Sequence, residues 1–271
     1  MPKGTGHRPG ESPIDAFLLL KPDCLRQGLT DQVERAIQAQ SLEIDDRFNV
    51  SLTPADVRML WAEYDDEGHR LTLAFLDRYL TTAPSEVLLV SGPDAFEAAR
   101  RVKRKIRSMY AAGPYANLVH AAEQRGELDR QRRHLTGHQV GPYSGLVQRR
   151  PPGDVTFDVA AVVDEVWPLI QGMPEDPGPV RLDDGSRAVF LSPDRDHTLD
   201  STVTALCRAL PRISPRQAVL LALRAGFTGG TPVAAGDRAA VRHCLRALRE
   251  HGIRNCWTDR WQPAGRQKSR C

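Results

Sequence analysis

A lysine ends the apolar run Phe17-Leu18-Leu19-Leu20-Lys21-Pro22-Asp23, a dense basic stretch runs from Arg100 to Arg107, and His120 follows Asn117-Leu118-Val119. These residue types can handle phosphoryl groups. Imidazole is nucleophilic near neutral pH and its phosphoramidate stays reactive, so a histidine can take a phosphoryl group on one ring nitrogen and return it to a second acceptor. Such an enzyme works by ping-pong. Fixed cations must neutralise the transferred group, a task suited to a lysine at a strand end and arginines on a facing helix. Arg100, Arg101, Lys103, Arg104, Lys105 and Arg107 cover more than one helical face, so only some of them can point into a site.

Elements that would position these residues follow from the pattern around them. Ala16 to Leu20 reads as a buried strand stopped by Lys-Pro-Asp, Thr30 caps a helix carrying Val33, Ala36 and Ile37, and Leu42 to Leu52 alternates as a strand. Thr53-Pro54-Ala55-Asp56 is a helix start: a cap hydroxyl, proline at the first helical position and an acid in the first turn. Leu71 to Leu80 is a further helix, Val87 to Val90 a strand, and Ser91-Gly92-Pro93-Asp94 turns into a long helix ending near Tyr110. Later, Val155 to Ile170 is helical at its centre and Arg187 to Leu191 is a strand. Thr198 to Leu210, Pro215 to Ala225 and Arg238 to His251 are helices, the last two joined by a loop, and Arg254 to Thr258 is a terminal strand.

The 271 residues suggest two domains, and 41% hydrophobic with 26% charged residues excludes a chain disordered throughout. Residues 1–13 read as a flexible Gly/Pro-rich arm, 14–135 as the first domain, 136–153 as a linker and 154–271 as a small α/β domain. No apolar run approaches a membrane span and no signal pattern opens the chain, so the expected compartment is the cytoplasm. The five cysteines are scattered without C-x-x-C and read as reduced packing residues. A formal net charge of +3 is too small to imply nucleic acid by itself, although the positive charge is clustered, and nucleic acid is not the expected partner.

The segment from Phe17 to Leu29, with its apolar strand, Lys-Pro-Asp, Arg26 and Gly28-Leu29, resembles the opening of nucleoside diphosphate kinases. Leu52-Thr53 with the helix from Pro54 resembles the family's next helical signature, and Asn117-Leu118-Val119-His120 its Asn-x-x-His motif. The resemblance covers residues 14–135. It implies a ferredoxin-like α/β sandwich with antiparallel strands, nucleoside triphosphate and diphosphate as ligands, and Mg²⁺ carried by the nucleotide phosphates. By it His120 is the phosphate carrier, Lys21 and Asn117 contact sugar and phosphate, and Arg100 is a phosphate-binding arginine. In the family, a long loop and an Arg-Gly-Asp strand precede the Asn-x-x-His segment; here only Tyr110 to Ala116 intervene. Arg104 and Arg107 are the candidates to replace the cation lost with that loop, and the sandwich's final strand is expected to be missing, shortened or supplied from elsewhere. Trp61 stands where the family has a tyrosine near its catalytic histidine, and reads as core packing or as a base-stacking platform. Ala121-Ala122-Glu123 replaces the family's Gly-Ser-Asp.

Residues 187–260 resemble the ClpS adaptor family, with the C-terminal domain of the ribosomal stalk protein as a competing analogue; either implies a protein-binding module. Asp194-Arg195 occupies the adaptors' Asn-Asp position, and Gly226 falls where their histidine stands. Asp194, Asp196 and Asp200 read as a helix start. The fold class read from the sequence is therefore α/β (α+β): a nucleoside diphosphate kinase-type ferredoxin-like sandwich, then a small ClpS-like domain. The leading functional expectation is a divergent nucleotide phosphotransferase acting through His120. Its alternative is an inactive nucleotide-binding or scaffold domain in an adaptor that acts through its C-terminal domain.

Overall fold

All five residues of the first strand, Ala16–Leu20 (β1), are buried, as an uninterrupted apolar run requires of a central strand. A computed structural model describes residues 16–64, 69–113, 115–137, 155–172, 174–192 and 197–262. The expected arm, and the expected linker from residue 138 onward, lie outside the described residues. By contact the chain forms two units. One is Met1–Leu60, Leu80–Ala111 and Asn117–Gly145; the other is Trp61–Tyr79, Ala112–Ala116 and Leu146–Cys271.

In the first unit, β1 is followed by a single helical turn, Pro22–Arg26 (α1), a helix Thr30–Gln38 (α2), and an edge strand Glu43–Val50 (β2). Then come the helix Pro54–Leu60 (α3), the strand Ser85–Ser91 (β3) and a long helix Ala95–Tyr110 (α5, numbered after a helix of the second unit). A two-residue strand, Val119–His120 (β4), and a helix, Arg125–Leu135 (α6), complete the unit. The sheet order is β2-β3-β1-β4 and every pairing is antiparallel, the ferredoxin-like arrangement expected from the sequence. α5 lies against β1 and α2, and its residues Phe96, Ala99, Val102 and Ile106 recur at helical spacing and are buried. The fourth strand is present but short: only Val119 and His120 pair with Leu20 and Leu19.

The second unit takes its first helix, Arg70–Leu80 (α4), from the segment between β2 and β3. Leu71 and Phe75 are fully buried in the same apolar cluster as Val163, Leu206 and Leu220, and Phe75 stacks on Tyr115 and Trp167. Asp200 binds the start of α4: Oδ1 accepts from the Leu71 N–H at 2.7 Å, and Oδ2 from the Thr72 N–H at 3.0 Å and the Thr72 hydroxyl. That carboxylate supplies from a distant helix the cap that the α4 sequence lacks. Asp194 and Asp196 lie outside the described residues.

A helix Val159–Val166 (α7), capped by Asp158, leads to a sheet and helix layer. Its elements are a two-residue strand Val180–Arg181 (β5), the strand Arg187–Leu191 (β6), helices Leu199–Ala209 (α8) and Pro215–Phe227 (α9), the strand Thr231–Gly236 (β7), the helix Arg238–Glu250 (α10) and the strand Cys256–Arg260 (β8). Sheet order is β5-β7-β6-β8, with β5 parallel to β7 and the other pairs antiparallel. One expectation fails here: the stretch read as a loop after α9 is β7, an interior strand. Pro232 and the small residues Ala234-Ala235-Gly236 conceal it from propensity, and the proline is accommodated where the β6 register shifts between Val189 and Phe190. Cys24, Cys244 and Cys256 are buried free thiols, and burial pushes Cys24 and Cys244 up to about 12. Among the described residues no helix is long and apolar enough to cross a membrane.

Candidate phosphoryl-transfer site

The end of β1 and the approach to β4 are tied together by their backbones. Lys21 donates its N–H to Leu118 O at 2.8 Å, and Leu118 donates its own N–H to Asp23 Oδ2 at 3.0 Å. Leu118 needs both bonds, because its φ of 68° is left-handed, a conformation that costs a leucine about 1–3 kcal/mol. Lys-Pro-Asp therefore acts as a template: its lysine backbone and aspartate carboxylate hold the turn that presents Asn117 and His120. The lysine side chain closes the same corner, with Nζ donating to Asn117 Oδ1 at 2.6 Å. Lys21 is buried, and desolvation, followed by the Arg107 charge, holds its ammonium well below the usual lysine range against the opposing pull of Asp23.

His120 is 7% exposed, and its Nε2 lies 3.0 Å from Gln131 Oε1. The amide of Gln131 is oriented by its other end, where Nε2 donates to Leu60 O. With its oxygen facing the ring, Gln131 accepts, so His120 Nε2 carries the proton and the basic lone pair falls on Nδ1. Burial holds the His120 pKa well below the usual histidine value, and the nearby Lys103 and Lys21 charges lower it further. That shift favours the neutral ring. A neutral imidazole is the form in which a histidine can act as a nucleophile.

The basic helix α5 has a role the sequence did not disclose. Leu118 O points inward to Lys21, so by strand alternation Val119 O and Ala121 O point away from β1, on the side where, among the described residues, no further strand pairs with β4. Arg107 covers Val119 O with Nε at 2.9 Å and Nη2 at 2.7 Å, and Lys103 covers Ala121 O at 2.9 Å. Side chains thus satisfy the outward acceptors of this edge strand. Arg100 lies one turn earlier, bound through Nη1 to both Glu97 oxygens at 2.7 and 3.0 Å and through Nε to Glu123 at 3.2 Å. Its guanidinium stands 5.5 Å from the Phe96 ring centroid.

The structure thus gathers Lys21, Asn117, His120, Arg100 and Arg107 in the first unit. Arg104 is exposed on α5. Trp61 is buried at the beginning of the segment that belongs to the second unit. Sequence reasoning missed Gln131, Lys103 and Glu123 as members of the set. Glu127 gives the one signal that α6 begins there: its carboxylate accepts from the Gln124 N–H in a capping box.

No family model matches the chain. Its sequence is similar to a nucleoside diphosphate kinase of Ignicoccus hospitalis, 25% identical over 125 residues, which covers 42% of this chain and 83% of that protein. It is also similar to the human thioredoxin domain-containing protein 6, 24% identical over 130 residues, covering 42% of this chain and 38% of that one. Among solved structures it resembles a halophilic nucleoside diphosphate kinase from Halobacterium salinarum in complex with CDP, at a TM-score of 0.39 and 20% identity, covering 43% of this chain and 82% of that one.

Proposed function

We propose that this chain is a divergent nucleotide-binding phosphotransferase of the nucleoside diphosphate kinase type, moving a phosphoryl group from a nucleoside triphosphate through a phosphohistidine at His120. The observation that carries this reading is the buried imidazole of His120 with Nε2 3.0 Å from Gln131 Oε1, in the field of Lys103, Lys21 and Arg107. In the first half-reaction the Nδ1 lone pair forms a bond to the γ-phosphorus as the bond to the β–γ bridging oxygen breaks, and the diphosphate leaves with that electron pair. An acceptor oxygen then takes the phosphoryl group and restores the ring. Lys21 and Asn117 hold the sugar and phosphates, with Arg100, Arg104 and Arg107 as further phosphate-side cations.

Among the described residues no group of three or more His, Cys, Asp or Glu side chains could hold a metal ion. The site fits Mg²⁺ only as an ion carried by the nucleotide's own phosphates, where it would offset their charge.

Incubation with γ-labelled ATP and Mg²⁺ tests the reading. An acid-labile, base-stable label is expected on the wild type and on His134→Ala and His138→Ala, and is lost in His120→Ala. Full labelling of the His120 variant would remove His120 from the chemistry.

A second reading is favoured by the engagement of Arg107 and Lys103 with β4 carbonyls: the unit binds nucleotide as a scaffold and the protein acts through its second unit. The order β6-α8-α9-β7-α10-β8 supports a ClpS-like, partner-binding module there. Nucleotide binding without any label on His120 would select this reading.

A further inference from the structure

Glu123 reaches into the cation set from the loop between β4 and α6. Its Oε2 accepts from Arg100 Nε at 3.2 Å and its Oε1 from Lys103 Nζ, so one carboxylate bridges two cations of the same helix. The two partners of the lysine pair differ in freedom. The Lys103 side chain is 3% exposed and is fixed by its second bond, to Ala121 O, whereas the Glu123 side chain is 55% exposed. The Glu123 backbone is held separately, by donation of its N–H to Glu127 Oε2 at 3.0 Å. Rotation of one side chain therefore releases both cations while the loop stays in place. Arg100 would keep its orientation, because both Glu97 oxygens hold its Nη1.

A carboxylate bridging an arginine and a lysine makes the charge-assisted bonds that phosphate oxygens make. We propose that Glu123 is a built-in competitor for the phosphate chain of the nucleotide: it holds Arg100 and Lys103 itself, gives way to phosphate oxygens, and so sets how strongly the site favours phosphate. The proposal rests on the nucleotide site described above. It makes Glu123 a determinant of ligand strength rather than a catalytic residue, and the bonds it gives up on binding are a cost charged only to ligands that carry an anion.

The test is calorimetric titration of the full chain with ATP, inorganic pyrophosphate and adenosine, in the wild type, Glu123→Gln, Glu123→Asp and Asp129→Asn. Removing the competitor should tighten ATP and pyrophosphate about two- to fivefold, the scale of a partly exposed ion pair that no longer has to break. Adenosine should not gain. Glu123→Asp, which keeps the charge on a shorter arm, should tighten both anions by less. Asp129→Asn removes the same charge from an exposed position on α6 and should change none of the three ligands. If ATP binds the wild type and binds Glu123→Gln equally or more weakly, the competitor idea falls and the nucleotide reading stands. If adenosine gains as much as ATP, or Asp129→Asn tightens ATP as much as Glu123→Gln does, the effect is not local competition and the idea also falls. If ATP binds neither wild type nor variants, both the competitor and the nucleotide reading fall.

Discussion

Gln131 Oε1 meets His120 Nε2 at 3.0 Å, and that contact decides which nitrogen of the ring is basic. The amide is held at its other end by Leu60 O, so the proton on Nε2 is enforced by a contact outside the ring's own strand. Gln131→Leu, close in volume, would leave a buried N–H without its acceptor. The expected cost is about 1–3 kcal/mol of stability, read as a lower denaturant midpoint. Labelling should fall about tenfold for each 1.4 kcal/mol by which the reactive tautomer is disfavoured. Unchanged labelling in Gln131→Leu would show that the tautomer is set elsewhere.

The pH dependence follows from the depression of the His120 pKa. The nucleophile is the neutral ring, and burial with the Lys103 and Lys21 charges keeps it neutral below the usual histidine range. Labelling should therefore stay level from about pH 8 down through about 6.5 and decline only at lower pH. Gln131→Glu places an anion on Nε2 and should move the acid limb to higher pH. Stability carries the same sign: below about pH 6.5 the unfolded ring takes a proton that the folded ring resists, so this group's contribution falls as pH falls. A wild-type acid limb centred above pH 6.5 would contradict the desolvated, cation-flanked ring.

Arg107 and Arg104 stand one turn apart on α5 and should behave differently. Arg107→Leu uncovers Val119 O on the edge strand and should cost about 1–3 kcal/mol, with a greater tendency to aggregate. Arg104→Ala, at an exposed position, should stay within about 0.5 kcal/mol of wild type. Equal midpoints for the two variants in urea would refute the view that Arg107 satisfies an outward carbonyl of the edge strand β4.

These contrasts show where the sequence was readable. β1 and β3 are apolar runs, and the helices from Thr53-Pro54 and Ser214-Pro215 announce their own caps, so period and cap chemistry locate them. β4 escapes because a two-residue strand has no pattern, and its bonding partners are side chains on another helix. α6 escapes because Glu127, Arg130 and Gln131 are among the residues it buries, so its inward face is not apolar. Lys21, Asn117 and His120 were visible as spaced motifs. Gln131, Lys103 and Glu123 join them only through tertiary contacts, which no local spacing encodes.

The sequence of α4 lies between two strands of the first sheet, while its apolar face belongs to the second unit's core. Asp200→Ala removes the acceptor of the Leu71 and Thr72 N–H groups and should cost about 1–3 kcal/mol, the range for a buried helix cap. A fragment ending near Leu135 keeps Leu71 and Phe75 but lacks Val163, Leu206 and Leu220, the apolar residues that share their cluster. Exposed apolar surface of that kind drives association. The fragment should be less soluble than the whole chain by sedimentation, and adding residues 146–271 in trans should restore it in part. A monomeric, well-folded fragment with full ATP affinity would mean that α4 does not depend on the second unit, and would favour the reading in which that unit is an independent adaptor.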